Sequence, residues 1–93
     1  MAEIALRLRI RGRVQGVGYR DWTVREAVHR GLRGWVRNRG DGTVEALLIG
    51  EDAAVGAMAE ACRRGPRAAA VGGIETAAAE DDGSTGFSAV ATL

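Results

Sequence analysis

The sequence predicts an α+β fold, with two helices laid on one face of an antiparallel sheet. Three observations carry the prediction: an alternating apolar strand near the start, a glycine-centred hairpin in the middle, and two helical patterns that each follow a strand. Ile4, Leu6, Leu8 and Ile10 alternate with Ala5, Arg7, Arg9 and Arg11, the period of a half-buried strand with a solvated row of arginines behind it. A glycine-rich stretch follows. Asp21 to His29 then reads as a helix whose apolar side carries Val24, Ala27 and Val28, with Gly31 ending it. Leu32 to Asn38 and Thr43 to Ile49 are the next strands, and Arg39-Gly40-Asp41-Gly42 between them makes the pair a hairpin, with Asp41 and Gly42 as turn residues.

Gly50-Glu51-Asp52 supplies a cap and an acidic first turn for a second helix over Ala53 to Arg64, with Val55, Met58, Ala61 and Cys62 on its inner face. Gly65-Pro66 stops it, because proline cannot continue a helix. Val71 to Ala78 forms a fourth strand that Gly72 and Gly73 weaken, and Glu80 to Gly86 is an acidic turn. Phe87 to Ala91 offers an extra short strand at the C-terminal end. The order β-α-β-β-α-β is the ferredoxin-like split βαβ arrangement, filling residues 1–93 as a single domain. That fold hosts many unrelated activities, so function has to be read from a site.

Composition narrows the classes. The 93 residues are 46% hydrophobic and 27% charged, the profile of a globular chain and not a disordered one. One cysteine excludes an internal disulfide framework and fits a reducing, cytoplasmic setting; Cys62 falls in an alanine-rich helical pattern and reads as a small core residue. No apolar run is long enough for a membrane span, and residues 1–13 lack the apolar core of a signal peptide.

The net charge of +1 conceals an asymmetry. Residues 1–39 hold ten arginines against Glu3, Asp21 and Glu26, whereas residues 40–93 hold three against nine acids. There is no lysine. Arginine-biased codon usage accounts for the total, and a need for planar, permanently charged forks that grip oxyanions accounts for particular arginines. A basic half would also attract nucleic acid, but the acidic second half and only four aromatic residues argue against it, because single-strand readers need stacking side chains.

The chemistry concentrates in Gly12 to Arg20. A loop leaving a strand and entering a helix gathers N–H groups that have no helical partner, and glycines let a ligand come close to them. The helix dipole adds positive potential, and Arg20 at the helix start adds a fork matched to phosphate. The parts make a phosphate or carboxylate cradle, although glycine-rich strand-to-helix turns also arise for packing alone. A P-loop would need Gly-Lys-Ser/Thr, and the dinucleotide fingerprint would need a third glycine where Asp21 stands.

Two segments carry a family resemblance. Ile10-Arg11-Gly12-Arg13-Val14-Gln15-Gly16-Val17-Gly18-Tyr19-Arg20 resembles the signature of the acylphosphatases, and Gly34-Trp35-Val36-Arg37-Asn38, continuing through Gly40-Asp41-Gly42-Thr43-Val44-Glu45 to Gly50, resembles their second signature. Gly65-Pro66 before an alanine- and valine-bearing strand is similar to a later segment of the family, so the likeness covers nearly the whole chain. It departs in two places. Tyr19 stands where the family often has phenylalanine, and Phe87 to Ala91 is smaller than the family's aromatic-rich ending.

The resemblance implies the ferredoxin-like fold and hydrolysis of acyl phosphates to carboxylate and inorganic phosphate, without metal, cofactor or phosphoenzyme. It implies that Arg20 binds the phosphoryl group, that the backbone N–H groups of Gln15, Gly16, Val17, Gly18, Tyr19 and Arg20 surround its oxygens, and that Asn38 holds the attacking water. The substrate's own phosphate would assist in deprotonating that water. A carboxylate leaves readily, so such a site needs positioning and charge stabilisation more than a general acid.

Other residues read as structural. His29 is a surface or packing residue, Trp22 and Trp35 pack helix against sheet, and Glu80, Asp81 and Asp82 form a solvated turn without a second ligand cluster. The Gln15 side chain has two available roles, donating to phosphate and shaping the loop, and shaping the loop is the one expected. The expected partner is a small acyl phosphate, with no nucleic acid and no membrane, and nothing demands more than a monomer.

Overall fold

The computed structural model describes residues 2–93. Its elements are β1 (Glu3–Arg13), α1 (Tyr19–His29), β2 (Arg33–Asn38), β3 (Val44–Glu51), α2 (Asp52–Cys62), β4 (Ala70–Ala78) and β5 (Phe87–Ala89). The sheet runs in the order β4-β1-β3-β2-β5, with the first four strands antiparallel to their neighbours. β1 and β2 therefore run parallel with β3 between them, which is the split βαβ arrangement. The optional fifth strand is present and makes the sheet mixed: β5 pairs parallel with β2, placing Phe87 beside Gly34 and Ala89 beside Val36. A parallel partner fits because β4 ends beside the start of β1, and residues 79–86 then cross the width of the sheet at that end to enter β5 beside the start of β2.

β1 behaves as its alternation requires. Leu8 and Ile10 are fully buried beneath the helices, while Arg7, Arg9 and Arg11 stand on the opposite face. The strand extends to Arg13, past a register shift at Arg11–Gly12 in its pairing with β4. Gly12 adopts φ +122, and a Cβ there would overlap the Ala70 carbonyl oxygen, so only glycine passes the bulge that redirects the chain into the next loop. Gly72 and Gly73 do not prevent β4. They lie beside Gly12 and Arg11, where a Cβ at Gly72 would make ordinary contact and one at Gly73 would meet only the movable end of the Arg11 side chain.

The first helix differs from its sequence pattern. It begins two residues earlier than expected, at Tyr19, and its buried positions are Tyr19, Thr23 and Ala27. Val24 is only partly buried and Val28 is 59% exposed. Counting from Tyr19 places residues 19, 23 and 27 on one stripe, and the large phenol ring decides which stripe turns inward. On α2 the buried residues are Val55, Met58, Ala61 and Cys62, as the spacing predicts.

The face of the sheet away from the helices is not left bare. Leu47 and Ile49 are 5% and 1% exposed although they point away from α1 and α2. The acidic segment after β4 is tied across that side: Arg33 donates to Asp81 Oδ2 at 2.6 Å and to the Ser84 carbonyl at 2.7 Å, and the Trp35 indole donates to Asp82 Oδ2 at 3.1 Å. The expected solvated turn is exposed as read and is in addition fastened as a strap, and Trp35 packs under it on the open face instead of between helix and sheet.

Candidate functional site

The loop between β1 and α1 is shaped by two left-handed glycines, Gly16 at φ +72 and Gly18 at φ +80. Gly18 is the N-cap of α1 and brings no side-chain cap. Among the described residues no backbone hydrogen bond uses the N–H groups of residues 15–21; the first amide of α1 with a carbonyl partner is that of Trp22, which bonds Gly18 at 3.1 Å. A helix end leaves its first N–H groups without partners, and here the loop before it adds more of them without a side chain to occupy any.

These donors border a cavity of about 90 Å³ lined by Val14, Gly16, Gly18, Tyr19, Arg20, Asp21 and Asn38. Arg20 is exposed and forms no ion pair among the described residues. Asn38 ends β2 on the same face as the buried Val36. Its backbone carbonyl accepts from Leu93 N at 3.2 Å, while its side-chain amide makes no hydrogen bond among the described residues. Arg20 and Asn38, 18 positions apart in the sequence, thus face one small cavity with their polar ends free.

Both walls are braced. Gln15 Nε2 donates to the carbonyls of Arg39 at 2.8 Å and Thr43 at 2.9 Å, so its side chain clamps the loop to the β2–β3 turn instead of reaching into the cavity. In that turn Asp41 accepts from Thr43 N at 3.0 Å and Thr43 Oγ1 at 2.6 Å, and Gly42 takes φ +91. The bonds from Thr43 hold the Asp41 carboxyl below its ordinary range.

Asn38 is flanked by Arg37 and Arg39, which both grip Glu45 on the open face: Arg37 Nε at 2.8 Å and Arg39 at 2.9 Å, with Arg7 farther out at 3.9 Å. Glu45 is 2% exposed. Burial raises its pKa, but the hydrogen bonds from Arg37 and Arg39 outweigh burial and hold it below the usual carboxylate range.

Tyr19 lies under the loop, 1% exposed, with its hydroxyl donating at 2.6 Å to the Cys62 carbonyl at the end of α2. Burial, followed by the neighbouring Cys62, pushes the phenol far above its ordinary range, so it serves as a neutral donor. Its ring is tilted 59° to Trp22 at 5.4 Å. Gly65, at φ +65, leaves room for the ring, since a Cβ would come within 2.6 Å of it. The Cys62 thiol is pushed up to about 11 by burial, as suits a packing residue and not a nucleophile. His29 is exposed at the far end of α1.

The structure therefore gathers Gly16, Gly18, Tyr19, Arg20 and Asn38 around the cavity; Gln15 turns to the hairpin and Val17 packs against the core. Val14 and Asp21 are additional lining residues that the sequence reading did not single out. Val14 looks like the end of a strand, and Asp21 looks like an ordinary acid in a first helical turn. Only the placement of α1 two residues earlier reveals that Asp21 borders the site.

Fold and cavity define a ferredoxin-like α+β domain with an anion-receptive loop at the N-terminus of its first helix. A sequence model of the acylphosphatase family matches residues 6–89. The acylphosphatase of Azorhizobium caulinodans is 58% identical over 89 residues, covering 95% of this chain and 96% of that protein. Among solved structures, the acylphosphatase of Bacillus subtilis superposes with a TM-score of 0.90 at 39% identity, covering 94% of this chain and 98% of its own. An acylphosphatase from Coxiella burnetii gives 0.91 at 28% identity, covering 95% and 93% respectively. The chain belongs to the acylphosphatase family, whose members are enzymes of acyl phosphate hydrolysis. No helix among the described residues is long and apolar enough to cross a membrane.

Proposed function

We propose that the protein cleaves the carboxyl–phosphate bond of acyl phosphates by direct attack of water, with the phosphoryl group held by Arg20 and the backbone amides of residues 15–20. The observation that carries this reading is the coincidence, at one cavity, of unpartnered loop amides, an unpaired arginine and the free amide of Asn38.

The steps use no protein nucleophile. The amides and the Arg20 fork neutralise the phosphoryl oxygens and fix the phosphorus. Asn38 accepts a hydrogen bond from a water molecule with its side-chain oxygen and orients the water lone pair toward phosphorus. The new P–O bond forms as the bond to the carboxylate oxygen breaks, and the carboxylate departs with the electron pair. The water proton passes to a phosphoryl oxygen of the substrate. Products are the carboxylate and inorganic phosphate, and a carboxylate leaves without protonation, so the reaction calls for no general acid.

Release of phosphate from benzoyl phosphate without added metal tests the reading. Hydrolysis well above the uncatalysed rate is expected. No acceleration, or acceleration equally strong in the Arg20→Ala variant, would overturn it.

A further inference from the structure

The cavity holds one acid that the proposed reaction does not use. Asp21 is the sole carboxylate among the seven lining residues, it is exposed, and it forms no ion pair or hydrogen bond among the described residues. Arg25, one helical turn further on, does not engage it. Most other acids of the chain are occupied: Glu3, Glu26, Asp41, Glu45, Glu60, Glu75 and Asp81 each have an arginine within 4 Å.

A carboxylate in the first turn of a helix is favourable to that helix, which accounts for its presence on α1. It is unfavourable to an anion bound at the same helix end. A phosphoryl group has compensation, because the loop amides and Arg20 converge on it. A second negative charge on the acyl side has none, since the remaining lining residues are Val14, Gly16, Gly18, Tyr19 and Asn38. With the Arg20 charge taken up by the phosphoryl group, Asp21 is the charge left among the lining residues to meet an acyl group held in the same cavity.

From this we infer that Asp21 is a specificity-determining residue: it turns the site toward acyl phosphates whose acyl group is neutral or cationic and away from those with a second anionic group. The inference rests on the proposed reading of the cavity as the acyl phosphate site. Two unit charges a few ångströms apart at a wet protein surface shift binding by about threefold each way, so the preference between opposite signs amounts to about tenfold and shrinks with salt.

The test uses the full chain and three benzoyl phosphates: unsubstituted, para-carboxy and para-(trimethylammonio)methyl. The kcat/KM ratio of the cationic to the anionic substrate is measured in the unmodified protein, Asp21→Asn, Asp21→Glu and Asp21→Ser. The ratio is expected to fall about tenfold in Asp21→Asn and Asp21→Ser, and to be retained in Asp21→Glu. In the unmodified protein it should fall between low and high salt, a readout that requires no variant to fold. A purely helix-stabilising role would move all three substrates together. A ratio unmoved by substitution and by salt, with unsubstituted benzoyl phosphate still hydrolysed, overturns the role of Asp21 alone. No hydrolysis of unsubstituted benzoyl phosphate by the unmodified protein overturns the reading of the cavity and this inference with it.

Discussion

Gln15 Nε2 donates to the Arg39 carbonyl across 2.8 Å, joining the loop between β1 and α1 to the turn that follows Asn38. The bond spans 24 positions of sequence and couples the two halves of the cavity. Both carbonyls that Gln15 reaches also accept a backbone amide, Arg39 from Gly42 and Thr43 from Arg39. Replacing Gln15 with alanine therefore leaves neither carbonyl orphaned. Stability should fall by about 1 kcal/mol in denaturant unfolding, while kcat/KM for benzoyl phosphate should fall at least about tenfold, because the loop and Asn38 lose their common register.

Arg20 and Asn38 should separate binding from turnover. In Arg20→Ala, competitive inhibition by inorganic phosphate should weaken at least about a hundredfold along with the rate. In Asn38→Ala the rate should drop about a hundredfold or more, with the phosphate inhibition constant staying within about threefold of its starting value. Arg20→Lys should recover only part of the affinity, since an ammonium cannot form the planar two-point contact.

Tyr19→Phe removes the hydroxyl that the Cys62 carbonyl accepts. No other donor reaches that carbonyl among the described residues, so the variant should lose about 1–2 kcal/mol in chemical denaturation. Gly65→Ala should be at least as harmful, because the added methyl meets the same ring and the residue sits at positive φ.

Glu45 predicts the direction of acid sensitivity. Its folded-state pKa is depressed by Arg37 and Arg39, so it favours the native state above the unfolded carboxylate value of about 4.3. That contribution is lost as pH falls through the lower, folded value. Denaturant midpoints measured across the acid range should decline in the unmodified protein, and in Glu45→Gln the decline should be shallower from a lower starting point at neutral pH.

Much of this architecture is legible in the chain itself. The alternation of Ile4 to Ile10 marks β1, the spacing of Val55, Met58, Ala61 and Cys62 marks the inner face of α2, and the two glycine-bearing motifs locate Arg20 and Asn38 on facing elements. The misread stripe of α1 has a specific cause. Valine at 24 and 28 weighs more on a hydrophobicity pattern than threonine at 23, but Thr23 satisfies its hydroxyl on the Tyr19 carbonyl at 2.8 Å and so can be buried at little cost. The strap was illegible for a different reason. Asp81 and Asp82 are solvated as the sequence suggests, but their bonds to Arg33 and Trp35, nearly 50 positions away, are encoded by no local pattern.

Glu45 has a consequence that reaches beyond pH. Successive side chains of a strand point to opposite sides, so Arg37 and Arg39 can be anchored behind the sheet while Asn38, between them, projects in front. The asparagine is steadied by its neighbours' grip on a residue it never meets, and its own amide stays uncommitted. A charge cluster on the far face thereby becomes the back plate of the cavity, and substitutions there should alter the cavity without touching its lining.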